Sequence, residues 1–251
     1  MKRLILILII LSGITVFSQN PPTKKINDNS YSVGIYYDYM AVFQHPNFAR
    51  FAKSFDCNII PYNDTINSGY ALGVTGTIPV NDNMRFKVSG GYSSTNVNFR
   101  NRDDILFSTS DGGIQTGYLI NEIAGKFITF RIQTNFGMRI IKNWFLTAGI
   151  HTEYTVDLGI ENEVYIEGSY AHKITYLNQS EDNRFLYFSP NVELSYDLFL
   201  GNTDFGIIVS PMIRYEYGLY SFLSERNWKK DCLYLGLSVR YTDNIYKFQE
   251  Y

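Results

Sequence analysis

The stretch that most constrains the fold runs from Ile128 to Tyr154, two alternating segments joined by a tight polar turn at Lys142 and Asn143. In the first, Ile128, Phe130, Ile132, Thr134, Phe136, Met138 and Ile140 share one face. Thr129, Arg131, Gln133, Asn135, Gly137 and Arg139 share the other. In the second, Trp144, Leu146, Ala148, Ile150, Thr152 and Tyr154 stand against Phe145, Thr147, Gly149, His151, Glu153 and Thr155. A period of two identifies strands with one apolar and one polar, charge-bearing face. Strands of soluble proteins usually run about 5–6 residues. A tilted strand crossing a bilayer needs roughly 9–11. Length and facing together predict a membrane-spanning β-hairpin of the outer-membrane kind.

Residues 1–18 read as a secretory signal. Lys2 and Arg3 make a positive start, an uncharged run follows from Leu4 to Phe17, and Val16 and Ser18 occupy the small-residue positions before a cut at Gln19. The run is shorter than the ~18–20 residues of a spanning helix. No cysteine lies near the cut, so a lipid-anchored N-terminus is not expected. Residues 19–29 are expected to be a polar periplasmic lead, residues 30–242 the barrel and residues 243–251 a tail. The formal net charge is −2, and losing Lys2 and Arg3 makes the mature chain more acidic. With no Lys/Arg cluster, a nucleic-acid partner is excluded. Mean hydropathy is only −0.15, as expected where alternate residues alone meet lipid. The 21 Tyr and 18 Phe suit a barrel whose aromatic rings settle at both membrane interfaces.

The same alternation recurs along the chain. It predicts strands over about Tyr31–Phe43, Gly69–Val80, Met84–Tyr92, the central hairpin, Leu186–Leu198, Phe205–Tyr217 and Cys232–Tyr241. Pro190 falls on an apolar face and predicts a bulge or break. Asn81-Asp82-Asn83 and Gly201-Asn202-Thr203-Asp204 are turn chemistry. Between strands the chain alternates short turns with long segments: His45–Asn67, Thr95–Lys126, Val156–Arg184 and Gly218–Lys230. Short periplasmic turns and long outer loops are the habit of bacterial outer-membrane barrels, and closure leaves no unpaired edge in lipid. The expected fold is all-β, a closed antiparallel barrel of eight strands. Residual alternation in Ile114–Ile123 and Glu163–Tyr176 either lengthens strands above the membrane or raises the count to ten.

With these strands placed, the chain resembles the small outer-membrane β-barrel family, the OmpA- and OmpX-like eight-stranded barrels of Gram-negative bacteria. The likeness lies in pattern across the mature chain and is sharpest in the final strand. There Gly236, Val239 and Tyr241 match the family's terminal assembly signal, with Tyr234 where a more polar residue is usual. The chain runs ten residues past that aromatic, through Ile245, Phe248 and Tyr251. The resemblance implies outer-membrane lipid and the barrel-assembly machinery as partners, and no peptidoglycan-binding domain is expected.

Inward positions carry Asp38, Arg85, Lys87, Arg131, Arg139, His151, Glu153, Glu193, Asp197, Arg214, Glu216 and Arg240. An eight-stranded barrel is just wide enough to be filled by side chains, so opposite charges are expected to pair there. A narrow ion path or ligand pocket is the sharper alternative. His151 and Glu153 are the one inward His–carboxylate neighbour pair, but no His-x-Ser motif accompanies them, so no enzyme is expected. His45 and His172 read as isolated loop residues, and no metal or other cofactor is expected. Cys57 and Cys232 are the only cysteines. In an oxidising compartment they invite a disulfide stapling the first loop over the seam where the first and last strands meet. Phe48, Phe51 and Phe55 suit a short amphipathic turn capping the mouth. The outer segments are rich in Asn, Asp, Ser and Tyr, and a surface partner is expected to meet the protein there.

Overall fold

The computed structural model describes residues 31–47, 63–108, 112–167, 172–176, 186–201, 205–219 and 227–243. Ten strands form one antiparallel sheet: β1 Ser32–Asn47, β2 Thr65–Asn81, β3 Met84–Ser108, β4 Ile114–Ile141, β5 Trp144–Ile166, β6 His172–Tyr176, β7 Leu186–Tyr196, β8 Leu198–Gly201, β9 Phe205–Glu216 and β10 Asn227–Asp243. Eight of them close a ring in the order β10-β1-β2-β3-β4-β5-β7-β9, with β9 pairing back to β10. β8 continues the line of β7 along β9, and β6 adds to β5 outside the ring. The barrel is therefore eight-stranded. The alternation in Ile114–Ile123 and Glu163–Tyr176 lengthens the sheet rather than widening the ring.

Each strand turns its apolar face outward. Ile35, Val74, Ile132, Ile150, Val192 and Leu237 all stay well exposed, Ile35 at 65%. A soluble monomer does not leave so continuous an apolar surface bare. About ten residues per strand, alternate ones outward, rising ~3.3 Å each at a tilt near 40°, give an apolar belt roughly 25 Å tall. Aromatics border it. Trp144 packs on Tyr196 at one rim, ring centroids 5.0 Å apart. At the other rim, Tyr92, Phe130 and Tyr154 follow one another across β3, β4 and β5.

Two features depart from the expected plan. Most of the described residues of the segments expected as the second and third outer loops are strand: β3 and β4 stay paired from Met84↔Met138 up to Ser108↔Ile114, and β5 follows β4 to Ile166. β2 leaves β3 at Thr95, so beyond that level β3, β4, β5 and β6 form a one-sided wall. Asn96, Asn98, Arg100 and Lys126 on its outer side are polar and exposed, and Leu106 and Ile114 near its tip are exposed too. Arg102 lies over the Tyr118 ring, 3.5 Å from its centroid, and bonds Glu167 at 2.8 Å.

Pro190 makes no bulge. It pairs with Ile150 in an unbroken β5–β7 ladder. Its carbonyl accepts from Tyr217 N–H at 3.1 Å, so its proton-less nitrogen faces β9, one residue beyond the end of that ladder at Asn191↔Glu216. The interruption lies instead at Asp197, between β7 and β8. By the strand's alternation Pro211 points its nitrogen toward that same side as Tyr217, and the β9 ladder there skips from Ser195↔Met212 to Leu198↔Val209. A proline is tolerated where the ladder asks for no donor. At the turns, Asn83 N–H is held by Asn81 Oδ1 at 2.9 Å. Between β4 and β5, Lys142 takes the left-handed conformation, φ 42°.

Candidate functional site

The inward faces fill the lumen with paired charge. Nearest the short turns, Asp197 accepts from two arginines, Arg85 Nη1 at 2.5 Å and Arg240 Nη2 at 2.9 Å. Ser195, Ser210 and Thr77 accept further bonds from their terminal nitrogens. Arg85 also lies over the Phe145 ring, 3.6 Å from its centroid, where Arg139 stands 5.3 Å away. One layer up, Arg214 reaches Asp38 at 2.5 Å, Gln133 at 2.9 Å and Glu193 at 3.5 Å. Lys87 takes the other oxygen of Glu193 at 2.6 Å.

The next layer centres on Glu216. Arg131 donates to it at 2.9 Å, and His151 Nδ1 and the Tyr234 hydroxyl each donate at 2.5 Å. Glu153 bonds Lys230, with His151 Nε2 3.6 Å away. Lys87, Arg131, Arg214 and Lys230 thus face Asp38, Glu153, Glu193 and Glu216, and the charge closes on itself. Desolvated ions persist only when paired and hydrogen-bonded in this way.

The final strand explains two residues of its terminal pattern. Tyr234 faces the lumen, fully buried, its ring stacked beneath Arg214 and Arg131 at 4.2 and 4.8 Å. The polar demand of that position is met by its hydroxyl. Gly236 leaves the slot that Asp38 occupies, since a Cβ there would lie 2.1 Å from Asp38 Oδ1. Val239 and Tyr241 face outward into the apolar belt.

Above the charges the lumen changes character. Val97, Phe99, Ile123, Phe127, Ile160, Tyr187 and Trp228 form one buried cluster across the outer mouth. Trp228, fully buried, meets Phe99 and Phe127 edge-on, with centroids 5.1 and 5.7 Å apart. Sequence reading missed this plug because Val97, Phe99, Ile123, Ile160 and Trp228 lie in segments expected to be loops. The usable signal was the alternation of Val97 with Phe99 and the extension of β10 back to Asn227.

His45 is not an isolated loop residue. It stands on β1, Nδ1 at 3.0 Å from Asp64 and Nε2 at 3.5 Å from Asp231. Cys232 is a free thiol in this structure, buried on the lumen side of β10 and paired in register with Val42. Its expected partner Cys57 lies outside the described residues, as do the expected mouth-capping Phe48, Phe51 and Phe55. The signal, lead and tail segments lie outside them too, apart from Asp243. His151, Glu153 and Glu216 bring ligand-type atoms within 4.8 Å of one another. Arg131 and Lys230 already neutralise both carboxylates, so a metal ion would have to displace two held cations. The arrangement is an ion-pair network.

No family model matches the sequence, and no curated protein is similar to it in sequence. Among solved structures the chain is similar to Neisserial surface protein A, with 10% identity over 86% of this chain and 98% of that one, TM-score 0.36. It is also similar to Ail, the attachment invasion locus protein of Yersinia pestis, at 12% identity, 83% and 97% coverage and TM-score 0.31. The outer membrane protease OmpT from Escherichia coli gives 8% identity, 88% and 99% coverage and TM-score 0.36. At these identities and scores, nothing that those proteins do passes to this one. The chain's own surface decides the class: a closed eight-strand ring, apolar outside and charged within, crosses a membrane only as a barrel, and the protein is an integral outer-membrane β-barrel.

Proposed function

We propose that the protein is a non-enzymatic barrel that anchors an outer β-sheet wall and its loops for surface contacts, and that its lumen passes no solute. One observation carries this reading: the lumen is filled along its length, by ion-paired layers and then by the apolar mouth cluster. Work is then left to the polar wall of β3, β4, β5 and β6 and to the outer loops, where binding residues on rigid scaffolds concentrate. Lipid surrounds the apolar belt. The assembly machinery reads the terminal strand at Gly236, Val239 and Tyr241. The Cys57–Cys232 bridge remains part of the proposal, as a staple between the first loop and β10.

Reconstitution in planar bilayers tests the reading, with no stepwise conductance expected from the intact chain. Discrete channels would overturn it in favour of a small transport or ligand-binding barrel. A lipid-modifying enzyme would instead lose an envelope phenotype in His151→Ala or Glu153→Ala variants that remain heat-modifiable on denaturing gels.

A further inference from the structure

We propose that His45, Asp64 and Asp231 form a proton-dependent clasp at the outer rim that tightens the closing seam and the mouth as pH falls. A neutral imidazole has one N–H to give. With both ring nitrogens facing carboxylates, at 3.0 Å (Asp64) and 3.5 Å (Asp231), one carboxylate meets a lone pair. A proton taken from solvent onto the second nitrogen turns that opposition into a second, charge-assisted bond. Histidine is the side chain that changes charge between about pH 5 and 8.

Charged groups face His45 from two of the elements beside it. Asp64, ahead of β2, and Asp231, on β10, attract the cation. Lys229, its cross-strand neighbour on β10, opposes it. Lys230 points inward to Glu153, and Tyr215 on β9 faces the clasp only through Asp231, to which its hydroxyl donates at 3.1 Å. Gln44 and Pro46 on β1 and the start of β2, Thr65 to Asn67, bring no charge.

Asp231 carries the effect inward. Its second oxygen accepts Gly218 N–H at 2.7 Å. Gly218 is pressed against the mouth, since a Cβ there would lie 2.2 Å from the Lys230 carbonyl and 2.6 Å from the Tyr187 hydroxyl. Tyr187 belongs to the apolar plug, and Lys230 holds Glu153. Fixing Asp231 from the His45 side therefore holds the chain leaving β9 against the top of the lumen.

The test is amide exchange at Gly218 in the full chain embedded in lipid nanodiscs, corrected for intrinsic rate, at about pH 8 and about pH 5.5. Acidification should raise protection roughly two- to fivefold, the scale of a half-exposed ion pair. His45→Gln should abolish the difference. Asp64→Asn should raise protection at the higher pH and shrink the difference, because the single N–H is then freed for Asp231. Each variant must still show a heat-modifiable band, and if His45→Gln does not fold, Asp64→Asn decides. Wild-type protection that ignores pH, or an undiminished pH dependence in the folded variant, overturns the clasp.

Discussion

The lumen and its outer mouth are filled by opposite means. Below, buried ions hold one another: Arg214 serves Asp38 and Glu193, and Glu216 collects Arg131, His151 and Tyr234. Above, six apolar and aromatic side chains close around Trp228. The lower region is held by pairing, so it is intolerant of losing one partner. The upper region is held by contact, so it is sensitive to volume. One tube is thereby sealed twice, and the two seals should fail independently.

The largest effect should come from Glu216→Ala. It strips Arg131 of its carboxylate and leaves a desolvated charge, which costs about 3–5 kcal/mol. Urea unfolding of the vesicle-inserted protein would measure it, and a loss below 1 kcal/mol would mean that the network is hydrated. Trp228→Ala should follow at about 3 kcal/mol, the lower end for a buried aromatic, without opening a conductance, because the charged layers beneath remain packed. Conduction by this single variant would show that the mouth is the only seal.

Gly236→Ala comes next. Its Cβ would fall on Asp38 Oδ1 and within 2.9 Å of Met212 Cε, and the strain is expected to cost about 1–3 kcal/mol. Disruption of the Asp38–Arg214 pair should appear as a lower unfolding midpoint with the outward face unchanged. Pro190→Ala should be the smallest, within about 0.5 kcal/mol, since the nitrogen it restores faces past the end of the β7–β9 ladder. A large change there would place a hidden hydrogen bond at the end of β7.

Facing was legible residue by residue. Within the belt the strands carry their charges inward and most of their aliphatics outward, because with a period of two one face meets lipid and the other the lumen. The lengths of β3, β4 and β10 were not legible. Above the belt neither face meets lipid, so Asn96 to Asp104 break the apolar row although the backbone stays paired. His45 was misplaced for a related reason, since local pattern ends before β1 does and its acidic partners arrive from Asp64 and the distant β10.

The sequence by itself determined a membrane barrel and the residues of its charged layers. These follow from periodicity and the bilayer's demand that every backbone group be satisfied. Only the tertiary structure decided which charges pair, that Trp228 meets Phe99 and Phe127 over the mouth, and that Gly236 makes room for Asp38. Ring closure brings β10 against β1 and β9 across the barrel from β4. Contacts of that range depend on register and shear, which no local stretch of the chain encodes.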